Sequence, residues 1–106
     1  MGASKKEEFT TRQNRLADIA KALGHPARVA ILEFLAKSNA CFCGDIVEEL
    51  PLSQATVSQH LAELKRVGLI NGDIDGTKVC YCINSKAWNE AKEVMSGFLT
   101  SIEQCC

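Results

Sequence analysis

The chain has 106 residues, 24% of them charged and 46% apolar, with two prolines and a net charge of −1. That length holds one folded domain with its own core and is too short for two ordinary ones, and the composition excludes a disordered or low-complexity chain. No stretch approaches the roughly 20 apolar residues that cross a bilayer, and the polar start MGASKKEEF lacks the apolar segment of a secretion signal, so the six cysteines are expected as working thiols of a cytoplasmic protein without membrane contact.

Phe9, Leu16, Ile19, Ala20 and Leu23 recur at helical spacing and predict a first helix over about residues 6–23, ended by Gly24. Pro26 suits the first turn of a second helix, whose sequence ARVAILEFLAK is apolar on most sides, as a central helix should be. After the segment CFC, Asp45 can cap a short helix IVEEL that Pro51 prevents from extending. Ser53 is a fresh N-cap for the helix QATVSQHLAELKRV, where Val57, Leu61 and Leu64 share one face and Ala55, Ser58, Gln59, Ala62 and Arg66 fall on the opposite side. Gly68 is a natural residue to end it. Beyond, Asp75-Gly76 favours a two-residue hairpin turn, and in its second strand Val79, Tyr81 and Ile83 alternate with Lys78, Cys80 and Cys82. Asn84 or Ser85 then caps a last helix with Trp88, Ala91, Met95, Phe98, Leu99 and Ile102 as a broad apolar stripe.

Short helix, turn, helix and hairpin in that order make a mainly α fold with one β-hairpin, a winged helix-turn-helix, whose second helix enters the major groove of double-stranded DNA. On the helix of about residues 53–67, Gln54 and Gln59 can bond to adenine edges, Thr56 and Ser58 can serve bases or phosphates, and Ala55 can touch a thymine methyl. Lys65, Arg66 and, from the wing of about residues 69–83, Lys78 can meet phosphates. The helix carries only a slight positive excess, so basic N-terminal helices near the duplex are expected to help.

The stretches ALGHPARVAILEFLAKS and GDIVEELPLSQATVSQHLAELKRVGLI, followed by the Asp-Gly wing, resemble the ArsR/SmtB family of metal- and thiol-responsive bacterial repressors over roughly residues 12–84. The resemblance implies a homodimer held by its first and last helices that represses an operon until an inducer binds. It also puts His60 at the edge of the base-facing positions.

Two C-x-C pairs, Cys41/Cys43 and Cys80/Cys82, and a terminal Cys105-Cys106 account for all six thiols. Soft sulfur ligands suit thiophilic ions, and C-x-C is too short for a structural zinc knuckle. Arsenite sensors of the family carry cysteines beside the residue matched by Asp45, but here Phe42 and Gly44 stand where two would fall, Cys41 and Cys43 are shifted by one, and Val47 replaces a third. The resemblance implies a last helix packed near residue 41, so the expected site for As(III) or Sb(III) is Cys41 and Cys43 with Cys105 and Cys106. The terminal helix has no histidine for the family's interfacial zinc site. An oxidative or reactive-sulfur trigger bridging Cys41 or Cys43 to Cys105 or Cys106 stays open, as does a thiol metal carrier. Cys80 and Cys82 are structural or a secondary soft-metal site. No catalytic constellation and no organic-cofactor motif is present, so an enzyme is not expected.

Overall fold

A computed structural model of the chain describes residues 7–75 and 78–102. In chain order it contains α1 (Thr11–Ala22), α2 (Pro26–Lys37), β1 (Cys41–Cys43), a 3-10 turn (Ile46–Glu49), α3 (Gln54–Val67), β2 (Ile70–Asp75), β3 (Lys78–Ile83) and α4 (Ser85–Ile102). The three strands form one antiparallel sheet in the order β1-β3-β2. This is a winged helix. Among the described residues no helix is long and apolar enough to cross a membrane.

Local chemistry explains most boundaries. α1 starts later than its apolar periodicity suggests, because Thr10 and Gln13 form a reciprocal capping box: the Gln13 N–H donates to Thr10 Oγ1 at 3.0 Å and the Thr10 N–H to Gln13 Oε1 at 2.9 Å. Phe9 is left outside the helix, 56% exposed. α2 opens with Pro26, capped by His25, whose Nδ1 accepts from the Ala27 N–H at 3.0 Å. Asp45 caps the segment after β1 by accepting from the Val47 N–H at 3.0 Å, yet the expected short α-helix is a single 3-10 turn, since Pro51 leaves no room for a second turn.

Residues 41–43, to which the sequence pattern assigns no element, form a strand. β1 pairs with β3 through Cys41 and Cys82, Phe42 and Tyr81, and Cys43 and Cys80. Phe42 turns toward α2 and meets the edge of Phe34, ring centroids 4.8 Å apart, while the cysteines take the opposite face. Gly44 follows with φ +143°, and a Cβ there would stand 3.3 Å from the Phe42 ring. In the wing, Ile70 opposes Ile83 and the register runs to Asp75 opposite Lys78.

Ile19, Ile31, Leu35, Leu64, Leu69 and Ile70 are the fully buried centre, contributed by α1, α2, α3 and the start of β2. Tyr81, Ile83, Trp88 and Met95 pack against it from β3 and α4. The far end of α4 is different: Phe98, Leu99 and Ile102 are 41%, 57% and 50% exposed.

Gly68 ends α3 in the left-handed region (φ 91°, ψ 8°), its N–H donating to the Leu64 and Lys65 carbonyls, and nothing lies within 4 Å of where a Cβ would be. Backbone conformation alone is therefore at stake. Gly68→Ala is expected to lower unfolding free energy by about 1–2 kcal/mol in urea titration, with Gly68→Asn losing less.

Candidate nucleic-acid interface and paired cysteines

On α3, Val57, Leu61, Leu64 and Val67 are buried, which leaves Gln54, Ala55, Ser58 and Gln59 exposed along its first half. Ser53 secures that end: its Oγ accepts from the Thr56 N–H at 3.3 Å and donates to Thr56 Oγ1 at 2.9 Å. Thr56 is accordingly half-buried and its oxygen is engaged in the cap. Gln54 and Ser58 line one wall of a cleft of about 430 Å³, with Val79 and Tyr81 of the wing and the Gly44–Val47 segment on the others. Helix and wing thus form facing walls of one cleft.

The cations are arranged less simply than the sequence suggests. Arg66 is exposed but forks onto Glu63, with Nε to Oε1 at 3.0 Å and Nη2 to Oε2 at 2.8 Å, and this hydrogen bonding holds the Glu63 carboxyl below its ordinary range. Lys65 reaches toward the wing, where its Nζ would stand 3.5 Å from a Cβ on Gly72. Lys78 is the first residue of β3. Two arginines of the N-terminal third, Arg15 and Arg28, tie elements of the fold together. Arg15 donates to the Val67 carbonyl at 3.0 Å and to Glu90 at 3.1 Å, joining α1 to the end of α3 and to α4. Arg28 donates to His60 Nδ1 and to the Lys21 carbonyl, both at 3.0 Å.

His60 is a correction to the sequence reading. It is 7% exposed and packs under α3, with its ring 4.4 Å from that of His25. Its spacing of three from Val57 puts it on the packing face, a signal the helical pattern contained. Burial, reinforced by His25 and then by the Arg28 charge, lowers its pKa from the ordinary histidine value.

All four strand cysteines lie on one sheet face, joined in two pairs, Cys41 to Cys82 and Cys43 to Cys80, with Cα separations of 4.0 and 4.1 Å. Cys80 and Cys82, left off the expected ligand set, are therefore the partners of Cys41 and Cys43. The expected partners, Cys105 and Cys106, lie outside the described residues. Among the described residues no group of three or more histidine, cysteine or carboxylate side chains is arranged to hold a metal ion, and the four sulfurs are engaged with one another. The signal in the sequence was the repeated C-x-C itself, since alternation in extended chain turns both cysteines of each pair to one side.

A helix-turn-helix with an exposed Gln/Ala/Ser/Gln face and a β-hairpin beside it defines a winged-helix DNA-binding regulator. Comparison with known proteins names the family. Residues 25–72 match the model of the bacterial regulatory protein arsR family. An uncharacterized HTH-type transcriptional regulator of Methanocaldococcus jannaschii is 38% identical over 73 residues, 68% of this chain and 81% of that one. The arsenical resistance operon repressor of Staphylococcus xylosus is 30% identical over 90 residues, 85% and 86% of the two chains. Among solved structures, HlyU from Vibrio cholerae superposes with a TM-score of 0.67 at 29% identity, covering 89% of this chain and 97% of that one. The chain belongs to the arsR family of transcriptional repressors.

His60 binds its proton less readily when folded than when unfolded, so its contribution to stability is complete above its ordinary value of about 6.5 and is lost as pH falls below it. Melting temperatures between pH 8 and pH 5 should fall on the acid side. His60→Asn, which keeps an acceptor for Arg28, should flatten part of that limb.

Proposed function

We propose that the chain is a cytoplasmic, homodimeric repressor that binds a palindromic operator through α3 and the wing and lets go when Cys41 and Cys43 capture As(III) or Sb(III). The observation that carries the DNA half is the exposed row Gln54, Ala55, Ser58 and Gln59 beside the wing cleft. Each can address a base edge, whereas Arg66 is held by Glu63 and Arg15 and Arg28 are engaged within the fold. Affinity would then depend on base contacts and a few phosphates, Lys65 and Lys78 foremost among them.

For the dimer, a second copy is the occupant that fits the outer surface of α1 and α4. Leu16, Ala17 and Ala20 face Met95, Phe98 and Leu99 across an open groove of about 430 Å³, and an apolar face of this kind is unusual on a lone chain. Two α3 helices about 34 Å apart would read successive turns of the duplex.

For the inducer, the support is the donor set and the relatives. Trivalent arsenic and antimony prefer several polarizable thiolates, and the similar Staphylococcus xylosus protein is an arsenical resistance operon repressor. Cys41 and Cys43 precede the 3-10 turn that leads into α3, so a ligand there acts one segment away from the DNA-reading helix. Further sulfur can come from Cys80 and Cys82 across the ladder or from Cys105 and Cys106. A coupling of only ~1–3 kcal/mol lowers operator affinity ~5- to 150-fold, enough for induction.

Two measurements test the two halves. Ser58→Ala with Gln59→Ala should weaken binding to the chain's own upstream DNA by at least ~10-fold while leaving the fold unchanged by circular dichroism, and undiminished binding refutes the helix assignment. X-ray absorption of the arsenite-loaded reduced protein should show a sulfur-only shell that loses a scatterer in Cys41→Ser and in Cys43→Ser. A shell indifferent to both excludes the β1 thiols.

A further inference from the structure

Operator binding leaves one built feature of the molecule unused, the block of four sulfurs on the β1-β3 ladder. The Ile83 N–H donates to the Ala40 carbonyl at 2.7 Å, and antiparallel alternation from that bond makes Cys41/Cys82 and Cys43/Cys80 the non-hydrogen-bonded positions. There, facing side chains come closest, which agrees with Cα separations of 4.0 and 4.1 Å. Two independent C-x-C segments, separated by the whole of α3 and β2, are thus in register sulfur for sulfur.

We propose that these cysteines form a reversible double latch, two dithiol–disulfide pairs closed by a low-molecular-weight disulfide, and that the closed latch makes the repressor deaf to arsenite. The second half rests on the inducer reading above; the first does not.

Cys41 and Cys43 are exposed while Cys80 and Cys82 are half-buried, so attack begins on β1. The Cys41 thiolate attacks one sulfur of the small disulfide, whose S–S bond breaks, and one small thiolate leaves with that bond's electron pair. The Cys82 thiolate then attacks the Cys41 sulfur of the mixed disulfide and expels the second small thiolate. Two protein thiols lose two electrons and two protons, the protons passing to solvent or to the departing thiolates, and the small disulfide is reduced to two thiols. Cys43 and Cys80 repeat the sequence with a second equivalent, and excess small thiol reverses both.

Closure has two physical consequences. The bridges span 41 and 37 residues, so they ring the 3-10 turn, α3 and β2 into one cross-linked unit and tie the wing to the strand that leads into the reading helix. They also convert the sulfurs from thiolates, which bind a soft cation, into neutral disulfides, which do not. Oxidation therefore withholds the inducer's ligands without touching the DNA-facing side chains of α3.

The test uses the intact chain on its own fluorescein-labelled upstream DNA. Reduced protein is treated with oxidised glutathione, alkylated and mapped by mass spectrometry, and arsenite-driven release is measured before and after. Expected are peptides joining Cys41 to Cys82 and Cys43 to Cys80, at least ~10-fold less arsenite response after oxidation, and recovery with dithiothreitol. Cys105→Ser with Cys106→Ser should leave the bridges unchanged. Bridges from β1 to the terminal cysteines, or four strand thiols still alkylated after oxidation, overturn the latch. An oxidised protein released by arsenite as readily as the reduced one overturns its regulatory role. If the bridges form but arsenite never releases the reduced protein, the latch chemistry stands and the inducer reading falls.

Discussion

The short antiparallel ladder between β1 and β3 is the constraint from which the rest of the site follows. Its three pairs join the strand before the 3-10 turn to the second strand of the wing, so the two flanks of α3 are held by the same sheet. One face is anchored by Phe42 on Phe34 and by Tyr81 on the core, an edge-on aromatic contact worth ~0.5–1.5 kcal/mol beyond burial. Anchoring that face leaves the opposite one to the four sulfurs. The core decides where the cysteines point.

Charge distribution follows a similar economy. The chain's 12 lysines and arginines are offset by 13 aspartates and glutamates, and three of the arginines are already committed within the fold. Arg15 ties α1 to α3 and α4, Arg28 ties the start of α2 to the end of α1 and to His60, and Arg66 is held by Glu63. Phosphate attraction, which gives sequence-independent binding, is correspondingly limited. In the proposed reading the polar row on α3 would carry more of the recognition, as suits a repressor that must distinguish one operator from bulk DNA.

What could be read in advance was what is local. Ser53, the Val57/Leu61/Leu64 stripe and Gly68 delimit α3 within a few residues of chain, and Asp75-Gly76 marks the hairpin, so helix and wing were legible from propensity and period. The strand CFC was not. Three residues carry no measurable period, and the partner that makes them a strand lies some 40 residues away. The start of α1 was written in Thr10 and Gln13, but the apolar Phe9 drew the boundary outward. His60 stands three residues after Val57, on the buried side, so helical spacing holds its position where the family likeness implies the base-facing edge. Pairing Cys80 and Cys82 with β1 required the register of the sheet, which no pattern within either segment reveals.

The central claim is that folding, and not oxidation, brings the two C-x-C segments together. Non-hydrogen-bonded pairs place their α-protons close enough for a strong nuclear Overhauser effect. In fully reduced protein held under dithiothreitol, cross-peaks between the α-protons of Cys41 and Cys82 and of Cys43 and Cys80 are expected at the intensity of those within the β2-β3 hairpin. Their absence, with β2-β3 cross-peaks intact, would show that β1 joins the sheet only when bonded to it and would contradict the account.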